Sequence, residues 1–140
     1  MSSSLLEKEE KILKLLEELA VEAAKGTPIL VEGSRDVEAL RSLAVKGRII
    51  SVKTGGKSFL DAVSEVENAK VGEVVVLMDF DPKGVELTKK LVAWLEHVRV
   101  KPNLSFWRRL RGLVGREVKD VEGLVSYLRT LRGKLEIHKS

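Results

Sequence analysis

Cysteine is absent from all 140 residues, which excludes disulfides, thiolate zinc sites and a cysteine nucleophile together. Histidine occurs only at His97 and His138, leaving little scope for an imidazole-rich metal centre. There is no glutamine and little asparagine, while 33% of the residues are charged. That profile leans toward a thermophilic source. No apolar run approaches the roughly 20 residues of a membrane span, so no membrane partner is expected. The opening stretch, Met1 to Glu10, is polar and acidic, unlike the basic and then apolar start of a signal peptide. A cytoplasmic protein is the expectation.

What is present points to one α/β domain. An apolar fraction of 44% in a chain of this length supports a real core. Two apolar runs end in acidic signatures: Ile29-Leu30-Val31-Glu32-Gly33-Ser34-Arg35-Asp36, and Val74-Val75-Val76-Leu77-Met78-Asp79-Phe80-Asp81-Pro82-Lys83-Gly84. Short runs that are apolar throughout fit strands buried on both faces, as in a parallel sheet covered by helices. If the two are parallel neighbours, Glu32, Asp79 and Asp81 meet at the carboxyl edge, where open α/β sheets place their sites. Crowded carboxylates repel one another unless a cation neutralises them. An oxygen-only cluster suits Mg²⁺, with Mn²⁺ as a substitute.

The alternation of strand and helix signals predicts a four-stranded, mainly parallel sheet with helices on both faces. Residues 1–27 carry a leading amphipathic helix over 4–25, with Ser4 and Glu7 as a capping box and Gly26 as its stop. Its Leu5, Ile12, Leu16, Leu19 and Ala23 should face the body. Residues 28–101 form the core, with strands at 28–32, 48–52, 73–79 and 98–101. Helices are expected over 35–46, capped by Ser34, from Ser58 onward, and from Pro82 to about His97 with Asp81 as N-cap. Residues 102–140 form a basic extension of the same domain, with a last helix from Val121 to Leu131.

Charge is uneven. Residues 98–140 hold eleven Lys or Arg against four Asp or Glu, whereas the rest of the chain is slightly acidic. A basic third beside an acidic site suits a polyanion held near a metal. The loop Lys53-Thr54-Gly55-Gly56-Lys57-Ser58 lacks the first glycine of a nucleotide-binding loop, because Ser51 stands there. It still offers backbone N–H groups and two lysines to a phosphate, the plainer reading being a turn. Lys83 either meets phosphate or neutralises Asp81. Phe106, Trp107, Arg108, Arg109 and Arg111 combine base-stacking rings with phosphate-pairing cations; one ring is expected to be buried and one available. Trp94 and Leu95 are expected in the core. Tyr127 shares helical spacing with Leu124, Leu128 and Leu131, so it reads as packing.

The two acidic signatures resemble the Toprim family, shared by topoisomerases, primases, a ribosomal RNA maturase, old-family nucleases and recombination mediators. That family has a strand ending in Glu-Gly with an Asp three residues on, and another ending in Asp-x-Asp with a nearby Gly. Here these are Glu32-Gly33 with Asp36, and Asp79-Phe80-Asp81 with Gly84. Phe106-Trp107-Arg108-Arg109 and Val118-Lys119-Asp120-Val121-Glu122-Gly123-Leu124 look like small stand-alone archaeal members. The resemblance implies a Rossmann-like Toprim fold. It makes Glu32 a general acid/base or metal ligand, Asp79 and Asp81 the Mg²⁺ ligands, and Asp36 an outer-shell group. Gly33 is expected to turn the backbone sharply and admit a phosphate.

The reading that follows is a Mg²⁺-dependent nucleic-acid-binding protein acting on RNA ahead of DNA, with phosphodiester cleavage or RNA processing at Glu32, Asp79 and Asp81. Lys53, Lys57, Lys83, Arg108, Arg109 and Arg111 would grip the backbone. The alternative is a non-catalytic RNA-binding module of a ribosome or RNA-processing assembly. A primase-like or DNA-repair factor stands behind both, since no accessory module is visible.

Overall fold

Four short strands, β1 (Ile29–Val31), β2 (Ile49–Ser51), β3 (Glu73–Leu77) and β4 (Lys101–Asn103), pair in the order β2-β1-β3-β4. Every neighbouring pair is parallel. Around them lie α1 (Ser2–Ala24), α2 (Ser34–Ser42), α3 (Phe59–Asn68), α4 (Pro82–His97), α5 (Ser105–Val114) and α6 (Val121–Lys139). The computed structural model describes residues 2–53 and 59–139, and the side chains of 4–53 and 59–134. The expected loop helix cap at Ser58 and the lysine at Lys57 lie outside the described residues.

The continuous apolar runs fill both faces of the sheet. Ile29 and Val31 of β1, with Val75 and Leu77 of β3, pack into one core with α1, α2, α5 and α6. Leu30, Ile50, Val74 and Val76 point the other way and join α3 and α4. Alternation of side chains across a strand produces that split. The α/β class, the parallel sheet and the two helical layers agree with expectation and with a Rossmann-like fold. Among the described residues, no helix is long and apolar enough to cross a membrane.

Local boundaries differ in instructive ways. Ser4 lies inside α1, so it caps nothing, and Leu5 is only partly covered while Ile12, Leu16, Leu19 and Ala23 are buried. Gly26, at φ +102°, ends that helix as expected. Ser34 is the first residue of α2 and Gly33 is its N-cap. The helix stops at Ser42 because Ala44 turns left-handed at φ 66°. The fourth strand contains Pro102 rather than ending before it; β4 is an edge strand, where a missing N–H is tolerated. The last helix does not end at Leu131; α6 runs through Gly133 to Lys139. Trp94 is 42% exposed, although Leu95 beside it is fully buried. On α4 only one stripe faces the sheet.

Candidate functional site

From β1 the chain moves to β2 on one side of the sheet, and from β3 it continues to β4 on the other. The strand order therefore reverses between β1 and β3, and the crevice beyond their carboxyl ends is where such sheets bind ligands. The last paired residues there are Val31 and Leu77. Glu32 and Asp79 lie just past them.

Glu32 is buried, with 8% exposure. Its Oε1 accepts from the backbone N–H of Asp79 at 3.3 Å, and its Oε2 accepts from Lys53 Nζ at 3.0 Å. Lys53, expected to grip phosphate, thus balances the charge of Glu32, although most of its side chain is exposed. Gly33 is extended at φ −136°, a conformation open to any residue, so the expected sharp turn is absent. Its N–H instead donates to Asp36 Oδ2 at 3.0 Å.

Asp36 is the least exposed carboxylate of the crevice, at 6%. Its second oxygen, Oδ1, accepts from the backbone N–H of Glu122 at 3.0 Å. One side chain therefore joins the start of α2 to the start of α6. Asp120 stands immediately before α6 and takes the Gly123 N–H on Oδ1 at 2.7 Å, acting as an N-cap. Oxygens of Asp36, Asp79 and Asp120 lie within 4.8 Å of one another. These three, with Glu32 and Lys53, line a cavity of about 330 Å³.

The electrostatic consequence falls on Asp79. Burial, then the charges of Glu32, Asp36, Asp120 and Asp81, push its carboxyl from 3.8 up to about 7. Burial also raises Asp36 above its ordinary value, against the opposing pull of the two backbone N–H groups that it accepts. A proton or a cation relieves such crowding. Oxygen donors alone, at this spacing, fit a hard divalent cation such as Mg²⁺ or Mn²⁺.

Asp81 has a different task. Its Oδ1 accepts from Gly84 N–H at 2.8 Å and caps α4, with Pro82 following at the first helical position. Its charge is the last of the four that act on Asp79. It is not one of the three carboxylates within 4.8 Å. Gly84 is required sterically, since a Cβ there would overlap the Asp79 carbonyl. Lys83 is exposed on the first turn of α4.

Helix α5 braces the acidic loop from below. Trp107 Nε1 donates to the Asp79 carbonyl at 3.2 Å, and Arg111 Nε donates to the Phe80 carbonyl at 3.2 Å. The Arg111 guanidinium also lies over the Trp107 ring, 5.5 Å from its centroid. Phe106 and Trp107 are both buried, so neither ring is free to stack on a base. Arg109 is held by Glu18 of α1 at 2.8 Å. Arg108 is exposed. Sequence reasoning missed Asp120 as a member of the acidic group. The available signal was its place three residues before Gly123, at the expected start of the last helix.

No protein-family model matches the chain. It is 24% identical to a solved protein from Aquifex aeolicus, covering 79% of this chain and 94% of that one with a TM-score of 0.66, which shows a shared fold. The UPF0292 protein of Methanocaldococcus jannaschii is 38% identical over 120 residues, 85% of this chain and 91% of that one. The UPF0292 protein of Methanosarcina barkeri is 35% identical over 126 residues, 89% and 85% respectively. That of Archaeoglobus fulgidus is 30% identical over 118 residues, spanning 84% and 90%. Likeness at this level along nearly the full length of both partners makes the chain a member of the UPF0292 family.

Proposed function

We propose that this protein binds Mg²⁺ in the crevice beyond β1 and β3, binds nucleic acid there, RNA ahead of DNA, and cleaves a phosphodiester. One observation carries the reading: carboxylates from three separate chain segments, Asp36, Asp79 and Asp120, come within 4.8 Å at the switch point of the sheet. Structural capping accounts for Asp120 and Asp81 singly. It does not account for Asp79, whose carboxyl sits among four like charges. The sequence resemblance to Toprim proteins at Glu32, Asp36, Asp79, Asp81 and Gly84 supports the same reading, and it is the source of the preference for RNA.

Asp79, with Asp36 and Asp120, would hold the ion, and Asp81 would reach it from the cap of α4. A bound Mg²⁺ supplies neutralisation of the charge that grows on phosphate oxygens during transfer. Glu32 takes a proton from the attacking water as its oxygen bonds to phosphorus and returns it to the strand oxygen released when the other P–O bond breaks, and the Asp79 N–H fixes the carboxylate that does so. Lys53 balances Glu32 at rest and turns to the phosphate when substrate arrives. Arg108, Arg111 and Lys83 hold the backbone on either side of the 79–81 loop.

Labelled RNA and DNA of the same sequence are incubated with the protein, Mg²⁺ or Mn²⁺, and a Glu32→Gln control. Cleavage by the wild type and not by the control is the expected result. Retention without cleavage in either protein replaces the enzyme by a binding module, as in a ribosome or RNA-processing assembly. Neither retention nor cleavage sinks the reading.

A further inference from the structure

A second concavity, roomier than the acidic crevice, is a cavity of about 770 Å³ whose rim carries Lys8, Arg108, Arg111 and Arg116. These cations come from two distant parts of the chain, α1 and the segment from α5 to residue 116. A single carboxylate, Glu117, faces them, and it is engaged with Lys8 Nζ at 3.0 Å. That contact raises the Lys8 ammonium and lowers the Glu117 carboxyl from their ordinary values, so both remain charged near neutrality.

The arginines are differently prepared. Arg111 is fixed by its Nε bond to the Phe80 carbonyl and by the Trp107 ring beneath it. A guanidinium has five N–H donors in a rigid fork, so this bond leaves four for a ligand. Arg108 and Arg116 make no side-chain hydrogen bond or ion pair among the described residues, although both line the cavity. Gly112 also lines it, and there is open space where its Cβ would stand. With Lys8 and Arg111 already engaged, Arg108 and Arg116 add further positive charge to the same hollow, and like charges so placed repel one another until an anion enters.

Phe80 lines this cavity, and it lies between Asp79 and Asp81. The acidic crevice and the basic hollow are therefore two sides of one short loop. We propose that the basic cavity is a binding site for a phosphomonoester group, the terminal phosphate of a nucleic-acid strand. An internal phosphodiester carries one negative charge, whereas a terminal monoester carries about −1.5 to −2 near neutral pH and offers three acceptor oxygens. Several converging cations and a concave wall match the second. A terminal monoester can therefore pair with more of these cations at once than an internal linkage does. Naming a strand end as carrier rests on the nucleic-acid reading above; the phosphate site rests on the cavity alone.

The test uses one oligonucleotide in 5′-phosphorylated, 3′-phosphorylated and unphosphorylated forms, with adenosine monophosphate as competitor. Binding is followed by fluorescence polarisation in EDTA, so that loss of the metal site does not enter. One phosphorylated form is expected to bind at least about tenfold more tightly than the unphosphorylated one. That preference should vanish in Arg108→Ala/Arg116→Ala, whose side chains make no hydrogen bond or ion pair among the described residues. It should survive in Arg129→Ala, which removes an exposed charge from α6, and in Asp79→Asn. Competition by the mononucleotide at equal strength would keep the phosphate site and transfer it to a free nucleotide, overturning the strand end. Equal binding of all three oligonucleotides, or a preference that persists in the double variant, overturns the site. Cleavage that fails with the preference intact overturns only the enzymatic reading.

Discussion

The indole N–H of Trp107 donates to the backbone carbonyl of Asp79 at 3.2 Å, across 28 residues of sequence. A buried ring on α5 thus fixes the height of the loop that carries the most perturbed carboxylate among the described residues. Trp107→Phe keeps an aromatic ring but leaves that carbonyl without its donor and opens a small void. The expected loss is about 1–3 kcal/mol of stability, read as a lower urea midpoint. Mg²⁺ binding should weaken in the same variant, because the loop loses its brace. Unchanged Mg²⁺ affinity would show that α5 positions nothing in the crevice.

The raised carboxyl of Asp79 makes stability depend on pH in a stated direction. Its ordinary value is 3.8 and its folded value about 7. Between these the folded protein keeps a proton that the unfolded chain has released. Without metal, the contribution of this group to stability is therefore fully present below about pH 4 and is lost as pH rises through about 7. Asp79 is only half buried, so solvent screening reduces the linked effect to roughly 1–2 kcal/mol. Thermal melts at pH 5 and pH 8 in EDTA should show it. Asp79→Asn should flatten the difference and abolish Mg²⁺ binding, while Mg²⁺ should restore the wild type at pH 8.

Gly84 lies against the Asp79 carbonyl with no room for a Cβ. Gly84→Ala must push α4 away from the loop or move the loop itself. Overpacking against backbone gives little on either side, and a loss of about 3 kcal/mol is expected. The control is Gly112→Ala, where a Cβ meets open space. In a helix interior that change should be neutral or stabilising by up to about 1 kcal/mol. Equal stability of the two variants would remove the steric account of Gly84.

Much of this was legible from local patterns. The Asp81-Pro82 pair marks the start of α4 because an N-cap acceptor and a fixed φ act on adjacent residues. Uninterrupted apolar runs announced β1 and β3, since each feeds two cores at once. Trp94 misled because helical spacing places a residue on a face without saying whether anything covers that face. Phe106 and Trp107 misled in the opposite sense. The pattern leaves one ring available for stacking, yet both lie on the core side of α5. Asp120 was hidden because its meeting with Asp36 and Asp79 depends on how α6 returns to the sheet edge, which no local pattern encodes.

Asp120 and Asp81 offer the sharpest comparison, because each caps a helix and each lies near Asp79. Substituting Asn keeps an N-cap acceptor of similar quality and removes only the charge. Neither Asp120→Asn nor Asp81→Asn should therefore change stability by more than a few tenths of a kcal/mol beyond the relief of repulsion. Their effects on Mg²⁺ should separate. Asp120 shares the 4.8 Å grouping with Asp36 and Asp79, so its loss should weaken the ion by about 10–100-fold. Asp81, which lies outside that grouping, should have the smaller effect. Calorimetric titration of both variants decides between them. A larger loss at Asp81 would move the ion from the side of α6 to the side of α4, and Asp120 would then be a helix cap and nothing more.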